Sequence, residues 1–469
     1  MKTLLINPTY FDPIRYPPAN LAYLASGLRA AGEEVAIIDV NIGPRCVDAI
    51  RAFSPDVVGF PMMSFSEPTV AKFVKKVKKV AGAKVVVGGP HVSIMQEDVL
   101  ASHPEIDFAV IGEGEKALPE LCAALRGKRA LGSVRGLAYR EGGSVLKTAL
   151  REYNIRLDEL PFPAWDLLDV RRYDFLPVVD SRGCPYRCNY CCVKDAQGRA
   201  WRPRSAENIV DEIQWDIRQF GVRRFYIDGD NLLVDAGRIL KICDGIRRRD
   251  LRIRWVATQG VRADLATGEV LSAMRGAGCE AVGFGIESGD EEVLQGIHKG
   301  ETLAEISSAV KMARDRGFYV TGCFMVGNVG ETMSSVKKSI AFMKTLRLDA
   351  IYVNSVVPYP KTDLWEWAKS HAIGFREDRA FFPATLQAGD VEPAFETREF
   401  PRDERIRAYR LFLREAFWTQ VRHHFPRRAL FGILLKGLKE RLAKLAYRVS
   451  GKDPRERVLK RCDLWRENP

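Results

Sequence analysis

Three cysteines lie close together near the middle of this 469-residue chain, at Cys184, Cys188 and Cys191. Three thiolates around a four-iron cluster leave one iron without a protein ligand, and that iron can bind a cofactor or substrate directly. A structural zinc ion would instead need a fourth ligand close by, for which the adjacent Cys192 is the candidate. We favour the cluster, because two neighbouring cysteines rarely both reach one small ion. The other cysteines are interpreted as packing residues: Cys46, Cys122, Cys192, Cys243, Cys279, Cys323 and Cys462.

The three cysteines follow the first of six apolar strands that alternate with helices over residues 176–388. Buried strands separated by helices form parallel sheets, so this series predicts an open, partial (β/α)6 barrel. Barrel enzymes carry their chemistry at the carboxyl ends of the strands, which is where the cysteines fall. The helices are expected at 205–219, 234–248, 266–276, 290–297, 302–316 and 331–345.

Residues 1–130 show a second alternation, in which five apolar runs are each followed by an amphipathic segment. This pattern predicts an α/β domain with a doubly wound parallel sheet, whose ligands sit beyond the carboxyl ends of the strands. Residues 131–175 are expected to form a hairpin, turning at Gly142-Gly143, and a linker. The helices are expected at 17–31, 44–53, 67–80, 95–102 and 115–126. The candidate ligand contacts are Pro8, Thr9, Asp39, Met62, Met63, Ser64, Gly88, Gly89, Pro90, His91, Gly112, Glu113, Gly114 and Glu115.

The CxxxCxxC motif, with Tyr190 directly before its last cysteine, resembles the signature of the radical S-adenosylmethionine (SAM) superfamily. The resemblance implies that Cys184, Cys188 and Cys191 ligate a [4Fe-4S] cluster whose open iron chelates SAM. Electron transfer then cleaves the sulfonium and gives a 5'-deoxyadenosyl radical. The resemblance also implies an electron donor such as flavodoxin or ferredoxin as a partner.

Two other strand ends of the barrel resemble this superfamily. Asp228 and Asp230 end the second strand, where the resemblance implies a contact with the amino group of SAM, although helix capping would also explain them. The stretch Gly285-Ile-Glu-Ser-Gly289 ends the fourth strand, and the resemblance places Glu287 near the SAM ribose or the substrate.

The segment from Gly327 to Thr332 resembles the G-x-P-G-E-T motif of the same enzymes, with Val329 where proline is usual. We expect Glu331 to cap the next helix, because its negative charge suits a helix amino terminus. Gln259 and Arg262, after the third strand, are weaker candidates.

The N-terminal domain resembles the cobalamin-binding domain that is fused to many radical SAM enzymes. Its paired glycines at 88–89 would let the backbone approach a large flat ligand closely. The D-x-H-x-x-G motif, whose histidine ligates cobalt in corrinoid proteins, is absent, since neither His91 nor His103 has an aspartate two residues before it. We therefore expect cobalt to lack a histidine from that motif. His91 is a candidate contact, with a surface or capping role as the alternative.

These resemblances imply a cobalamin-dependent radical SAM enzyme that methylates an unactivated carbon of a small organic substrate. One alternative is a non-methylating radical reaction, such as cyclisation, ring contraction or oxidation, on a lipid-like or tetrapyrrole substrate. A second is a non-catalytic corrinoid or iron-sulfur sensor. Nucleic acid is not expected as a partner, because no interleaved aromatic and basic residues predict a strand-binding surface.

The composition, with 46% apolar and 28% charged residues, is typical of a folded protein. No run of about 18 apolar residues predicts a membrane span, and no cleavage site follows the apolar start, so a cytoplasmic location is expected. Residues 401–469 hold 19 Lys and Arg against 8 Asp and Glu, a difference of 11 that supplies most of the net charge of +12. The rest of the chain is nearly neutral.

The region 389–469 is expected to be helical and basic. Within it, apolar residues recur at spacings of three and four, which predicts an amphipathic helix. This helix either packs on the barrel or lies on an anionic membrane surface as a peripheral contact. Its apolar stripe consists of Phe431, Leu435, Leu438, Leu442, Leu445 and Val449.

Overall fold

The computed structural model describes residues 1–8, 16–43, 46–377 and 392–424. Two parallel sheets, each covered by helices, follow one another along the chain, which confirms the α/β class. Thr9, Cys462 and the predicted amphipathic helix at 431–449 lie outside the described residues. None of the helices in the described ranges is both long and apolar enough to cross a bilayer.

The N-terminal sheet has five parallel strands in the order β2-β1-β3-β4-β5, extended at one edge by an antiparallel hairpin, β6-β7. The hairpin turns at Gly142 and Gly143, as predicted, and pairs with β5. The strands are β1 Lys2–Asn7, β2 Glu34–Asp39, β3 Val57–Pro61, β4 Lys84–Gly88, β5 Phe108–Val110, β6 Leu137–Glu141 and β7 Ser144–Lys147. The helices are α1 Ala19–Ala30, α2 Cys46–Phe53, α3 Glu67–Ala81, α4 Pro90–Met95, α5 Asp98–Ser102 and α6 Gly114–Leu125.

The second sheet has six parallel strands in the order β14-β13-β12-β11-β10-β8, with the short β9 antiparallel to β8. The predicted partial barrel is confirmed. Its strands are β8 Leu176–Arg182, β9 Arg202–Pro203, β10 Arg224–Gly229, β11 Arg254–Val261, β12 Cys279–Glu287, β13 Tyr319–Val326 and β14 Ala350–Ser355. Its helices are α7 Val193–Gln197, α8 Ala206–Phe220, α9 Ala236–Arg248, α10 Gly268–Gly276, α11 Glu291–Gly296, α12 Leu303–Asp315, α13 Met333–Leu346 and α14 Asp363–His371.

A final helix, α15 (Arg402–His424), covers the edge of the barrel sheet at β14. The Tyr409 hydroxyl donates to the Val353 carbonyl (3.1 Å), and the Ile351 N–H donates to Gln420 Oε1 (3.1 Å). Phe412 is fully buried against Phe324 of β13. The helix therefore satisfies backbone groups that would otherwise leave the edge strand open to another chain.

Candidate active site

The loop of residues 183–192, here called the cysteine loop, is fixed by hydrogen bonds at its start and in its second half. The Gly183 N–H donates to the Asp230 carboxylate (2.7 Å), and the Asn189 N–H donates to the Ile297 carbonyl (3.1 Å). Gly183 has φ +81°, and a Cβ there would lie 2.3 Å from the Ala200 carbonyl oxygen, so only glycine fits. The loop begins at the carboxyl end of β8, where the sequence placed it.

Cys184, Cys188 and Cys191 are free thiols, each partly exposed on the cysteine loop. Burial raises the pKa of Cys184 and raises that of Cys191 to about 12, so these two thiols favour the protonated form until a metal displaces the proton. Three unpaired thiols on one braced loop are a donor set that fits a four-iron cluster. Cys192 packs against the N-terminal core, in line with its predicted packing role. Within the described ranges, no three His, Cys, Asp or Glu side chains are placed to hold a single metal ion.

Glu287, at the end of β12, is held in a buried charge network beside the cysteine loop. It has φ +64°, a strained backbone conformation for a residue other than glycine. The Tyr190 hydroxyl donates to its carboxylate, and the buried Lys299 ammonium lies 3.8 Å from Glu287 and 3.1 Å from Glu301. Burial raises the pKa of Glu287, with Lys299 acting in the opposite direction. A strained, buried acid at a strand end is typical of a functional site.

Arg262 braces the other side of the cysteine loop. Its guanidinium lies 3.7 Å from the centre of the Tyr186 ring and donates to the carbonyl oxygens of Lys299 (2.9 Å) and Gly300 (3.1 Å). Arg262 thus joins the loop to the segment that carries Lys299 and Glu301. It is a positioning residue in this structure, and Gln259 is exposed nearby on β11.

Asp228 and Asp230 lie together at the end of β10. Burial, reinforced by Asp230 and Asp180, raises the pKa of Asp228 to about 6. Asp230 accepts the Gly183 N–H, so it supports the cysteine loop directly. Neither residue caps α9, because Asp235 does so by accepting the Arg238 N–H (3.0 Å). The capping alternative is therefore wrong for both.

Glu331 does not cap α13, contrary to the prediction. Thr332 is the capping residue, and its hydroxyl accepts the Ser335 N–H. The Glu331 carboxylate instead accepts the N–H groups of Gly327 (2.5 Å) and Asn328 (3.0 Å), closing its own turn. Burial raises the pKa of Glu331 to about 7. The carboxylate is occupied by these two N–H groups, and the Thr332 hydroxyl, one residue closer to the helix, accepts the helix N–H instead.

The ends of β3, β4 and β5 are tied to one another through α4. The Ser64 hydroxyl lies 3.0 Å from His91 Nδ1, and the other ring nitrogen lies 3.7 Å from Glu67. His91 is 1% exposed, so its ring belongs to the domain interior. Gly89 has φ +106°, and a Cβ there would lie 3.1 Å from the Met62 carbonyl oxygen.

The other residues predicted to contact a ligand at the N-terminal strand ends are a backbone N–H, one carboxylate and several neutral residues. Gly112 has φ +83°, and its N–H donates to the Ser93 hydroxyl (3.0 Å). Asp39 accepts from the Tyr173 hydroxyl (2.9 Å). Pro8 is buried after β1, while Met63, Gly88 and Pro90 are partly exposed at the same edge. The ends of β1, β3 and β4 are therefore neutral, and the charged candidates at this edge are Asp39, Glu113 and Glu115.

Glu113 and Glu115 reach across to the barrel domain. Arg182, the last residue of β8, donates to Glu113 (3.1 Å) and to Glu115 (2.5 Å), and Arg202 donates to Glu113 (2.5 Å). Burial raises the pKa of Glu115, but the charge and hydrogen bond of Arg182 outweigh it, so the net pKa is lowered. These arginines were not singled out in the sequence, because their partners lie 67 to 89 residues away.

Aromatic side chains line the region where the two domains meet. Tyr16, before α1, stacks on Tyr226 of β10 with ring centres 5.7 Å apart. Phe65, after β3, joins Tyr190 and Tyr359 against one apolar cluster of the barrel domain. The carboxyl ends of both sheets therefore contribute side chains to a shared region around the cysteine loop.

Comparison with known proteins supports both halves of this arrangement. The family model for the B12 binding domain matches residues 13–122, and that for the radical SAM superfamily matches residues 178–343. An uncharacterized methyltransferase of Pyrococcus horikoshii is 34% identical over 386 residues, covering 78% of this chain and 83% of that protein.

Two further proteins are similar over most of the chain. The anaerobic magnesium-protoporphyrin IX monomethyl ester cyclase of Rubrivivax gelatinosus is 27% identical, covering 78% of this chain and 70% of that protein. The radical SAM methyltransferase TsrM of Kitasatospora setae, solved with cobalamin and a [4Fe-4S] cluster, has a TM-score of 0.69 at 21% identity. That match covers 87% of this chain and 85% of the other and shows a shared fold.

Proposed function

The chain belongs to the cobalamin-binding enzymes of the radical SAM superfamily, whose cofactors are a [4Fe-4S] cluster, SAM and cobalamin, and from this premise we propose that it methylates an unactivated carbon of a small organic substrate. The observation that carries the proposal is the direct contact between the two cofactor regions. Arg182, next to the cysteine loop, bonds Glu113 and Glu115 at the strand end of the B12-binding domain. A substrate held there could meet both cofactors.

Each side chain then has a defined task. Cys184, Cys188 and Cys191 hold the cluster; Asp228, Asp230, Tyr190 and Glu287 surround the place where SAM would bind. The loop ends around Gly88, Gly89 and Gly112 would hold cobalamin, because glycine backbone can approach a flat macrocycle. When bound, the cluster supplies the electron that cleaves SAM, and cobalamin supplies the methyl group.

An anaerobic assay tests the reaction type. The enzyme is reconstituted with cluster and cobalamin, given SAM, a reductant and candidate substrates, and both nucleoside products are quantified. Methylation through a carbon radical consumes two SAM molecules per product, so S-adenosylhomocysteine and 5'-deoxyadenosine should form in equal amounts. If only 5'-deoxyadenosine accompanies product, the reaction is another radical transformation, such as cyclisation, and methylation is excluded for that substrate.

A further inference from the structure

The B12-binding domain contacts the chain directly before and directly after the cysteine loop. At the start, the Arg182 guanidinium bonds two carboxylates of the N-terminal domain, Glu113 and Glu115. At the finish, α7 begins directly after Cys192 and packs against α4. The cysteine loop is thus held between two contacts with the same neighbouring domain.

The second contact is an apolar one centred on Ala196. This residue of α7 is buried in a core cluster whose other members lie between Leu4 and Ala138. Cys192, which precedes α7, packs against the same cluster. The Ala196 N–H donates to the Cys192 carbonyl (3.0 Å), so one helical turn links the buried methyl group to the end of the cysteine loop.

On the opposite side of this contact, α4 is tied to three strand ends of the B12-binding domain. Gly89, at the end of β4, directly precedes α4, and the His91 N–H donates to the Met62 carbonyl (3.1 Å) after β3. The Gly112 N–H, after β5, donates to the Ser93 hydroxyl of α4 (3.0 Å). Displacement of α4 would therefore displace all three of these loops together.

We propose that Ala196 and Arg182 are positioning residues that set the separation and orientation between the cluster and cobalamin. Close packing makes Ala196 sensitive to added volume, since overpacked helices must move apart. Arg182 fixes the start of the cysteine loop, because its planar guanidinium donates to two carboxylates at once, which lysine cannot reproduce. The consequence for product formation rests on the proposed function, in which both cofactors serve one substrate. The geometric claim rests only on both cofactors being bound.

The test compares Ala196→Leu with Ala200→Leu, a matched change at an exposed position of the same segment. Both variants are loaded with cluster and cobalamin, and iron, sulfide and cobalamin contents are measured. Pulsed electron paramagnetic resonance of the reduced cluster and cob(II)alamin then reports their spin-spin interaction. We expect Ala196→Leu to change this interaction and to lower methylated product per 5'-deoxyadenosine by about tenfold to a hundredfold. Ala200→Leu should match the wild type in both measurements.

Fully loaded Ala196→Leu with an unchanged spin-spin interaction would overturn the proposal. If this variant fails to take up its cofactors, Arg182→Lys replaces it and is judged by the same measurement. Should the wild type form no methylated product, the methylation proposal fails, yet the spin-spin interaction still decides the positioning role.

Discussion

The two sheets of this protein present their carboxyl ends to the same region, but they do so with different chemistry. The barrel end carries buried charge, with Lys299 between Glu287 and Glu301 and with Asp228 beside Asp230. The N-terminal end offers glycine backbone after β4 and β5, its carboxylates Glu113 and Glu115 are paired with Arg182, and His91 is held by Ser64 and Glu67. Buried carboxylates suit a cationic cosubstrate, whereas glycine backbone beside charges that are already paired suits binding by shape.

The largest effect should come from the cluster ligands on the barrel side. Replacing Cys184, Cys188 or Cys191 by alanine leaves two thiolates, too few to hold the cluster with one open iron. Iron content and 5'-deoxyadenosine yield should fall to background. Cys192→Ala is the control and should retain both, because Cys192 packs on the N-terminal core. Normal 5'-deoxyadenosine yield from Cys188→Ala would refute the ligand assignment.

The charge network should be the next most sensitive part of the barrel end. Lys299→Met leaves Glu287 and Glu301 buried without their cation, which we expect to lower the free energy of unfolding by about 3–5 kcal/mol. The control is Lys338→Met, which removes an exposed partner of Asp290 and should lower the free energy of unfolding much less. Chemical denaturation of both variants measures the difference. Equal losses in the free energy of unfolding would show that Lys299 stabilises the fold no more than an exposed ion pair does.

On the N-terminal side, Gly89→Ala should weaken cobalamin binding. The backbone at φ +106° is one that side chains avoid, at a cost of about 1–3 kcal/mol, and the new Cβ would press on Met62. Gly82→Ala, at φ +60° with open space around it, controls for a general effect of added methyl groups. Cobalamin titration followed by absorbance gives both affinities. An unchanged affinity in Gly89→Ala would remove this glycine from the binding surface.

Substitution of His91 should leave the cobalt environment unchanged. Because its ring is buried against Ser64 and Glu67, we expect the nitrogen superhyperfine pattern of cob(II)alamin to be the same in wild type and His91→Ala. His103→Ala, which loses a 2.9 Å contact with the same Glu67, is the matched control. A nitrogen triplet present in the wild type and lost only in His91→Ala would mean that this histidine ligates cobalt.

A pH dependence of stability should come from Glu331, in the turn before α13. Burial raises the pKa of Glu331 to about 7, so its folded form favours the protonated acid. Its stabilising contribution is complete below the ordinary glutamate pKa of about 4.5 and is lost as pH rises to about 7. Glu331→Gln should therefore flatten the fall in Tm over this range. Parallel Tm curves for variant and wild type would contradict the assignment.

Most strands and helices could be predicted from the sequence, because buried parallel strands are continuous Val- and Ile-rich runs. The helix expected at 95–102 is the clearest departure, since the structure has α4 at Pro90–Met95 and α5 at Asp98–Ser102. Pro90 at a helix start was a usable signal, because proline suits the first helical turn. The neighbouring Gly88 and Gly89 predicted a ligand-binding loop rather than a helix start.

The site was predictable where spacing along the chain carries the information. The three cysteines, Asp228, Asp230 and Glu287 all lie at the strand ends assigned to them. Lys299 and Arg182 were missed, because an ion pair between distant segments leaves no local pattern. Their roles follow only from which loops the fold brings together.

The cover that α15 provides for β14 also sets an order of events during synthesis. Strand β14 ends at residue 355, but Tyr409 and Gln420 lie more than 50 residues later. A ribosome-bound chain that has released β14 but not α15 therefore presents an unpaired strand edge, the kind of surface that recruits other strands. The edge of β14 is therefore covered only after α15 has been synthesised and has packed against it.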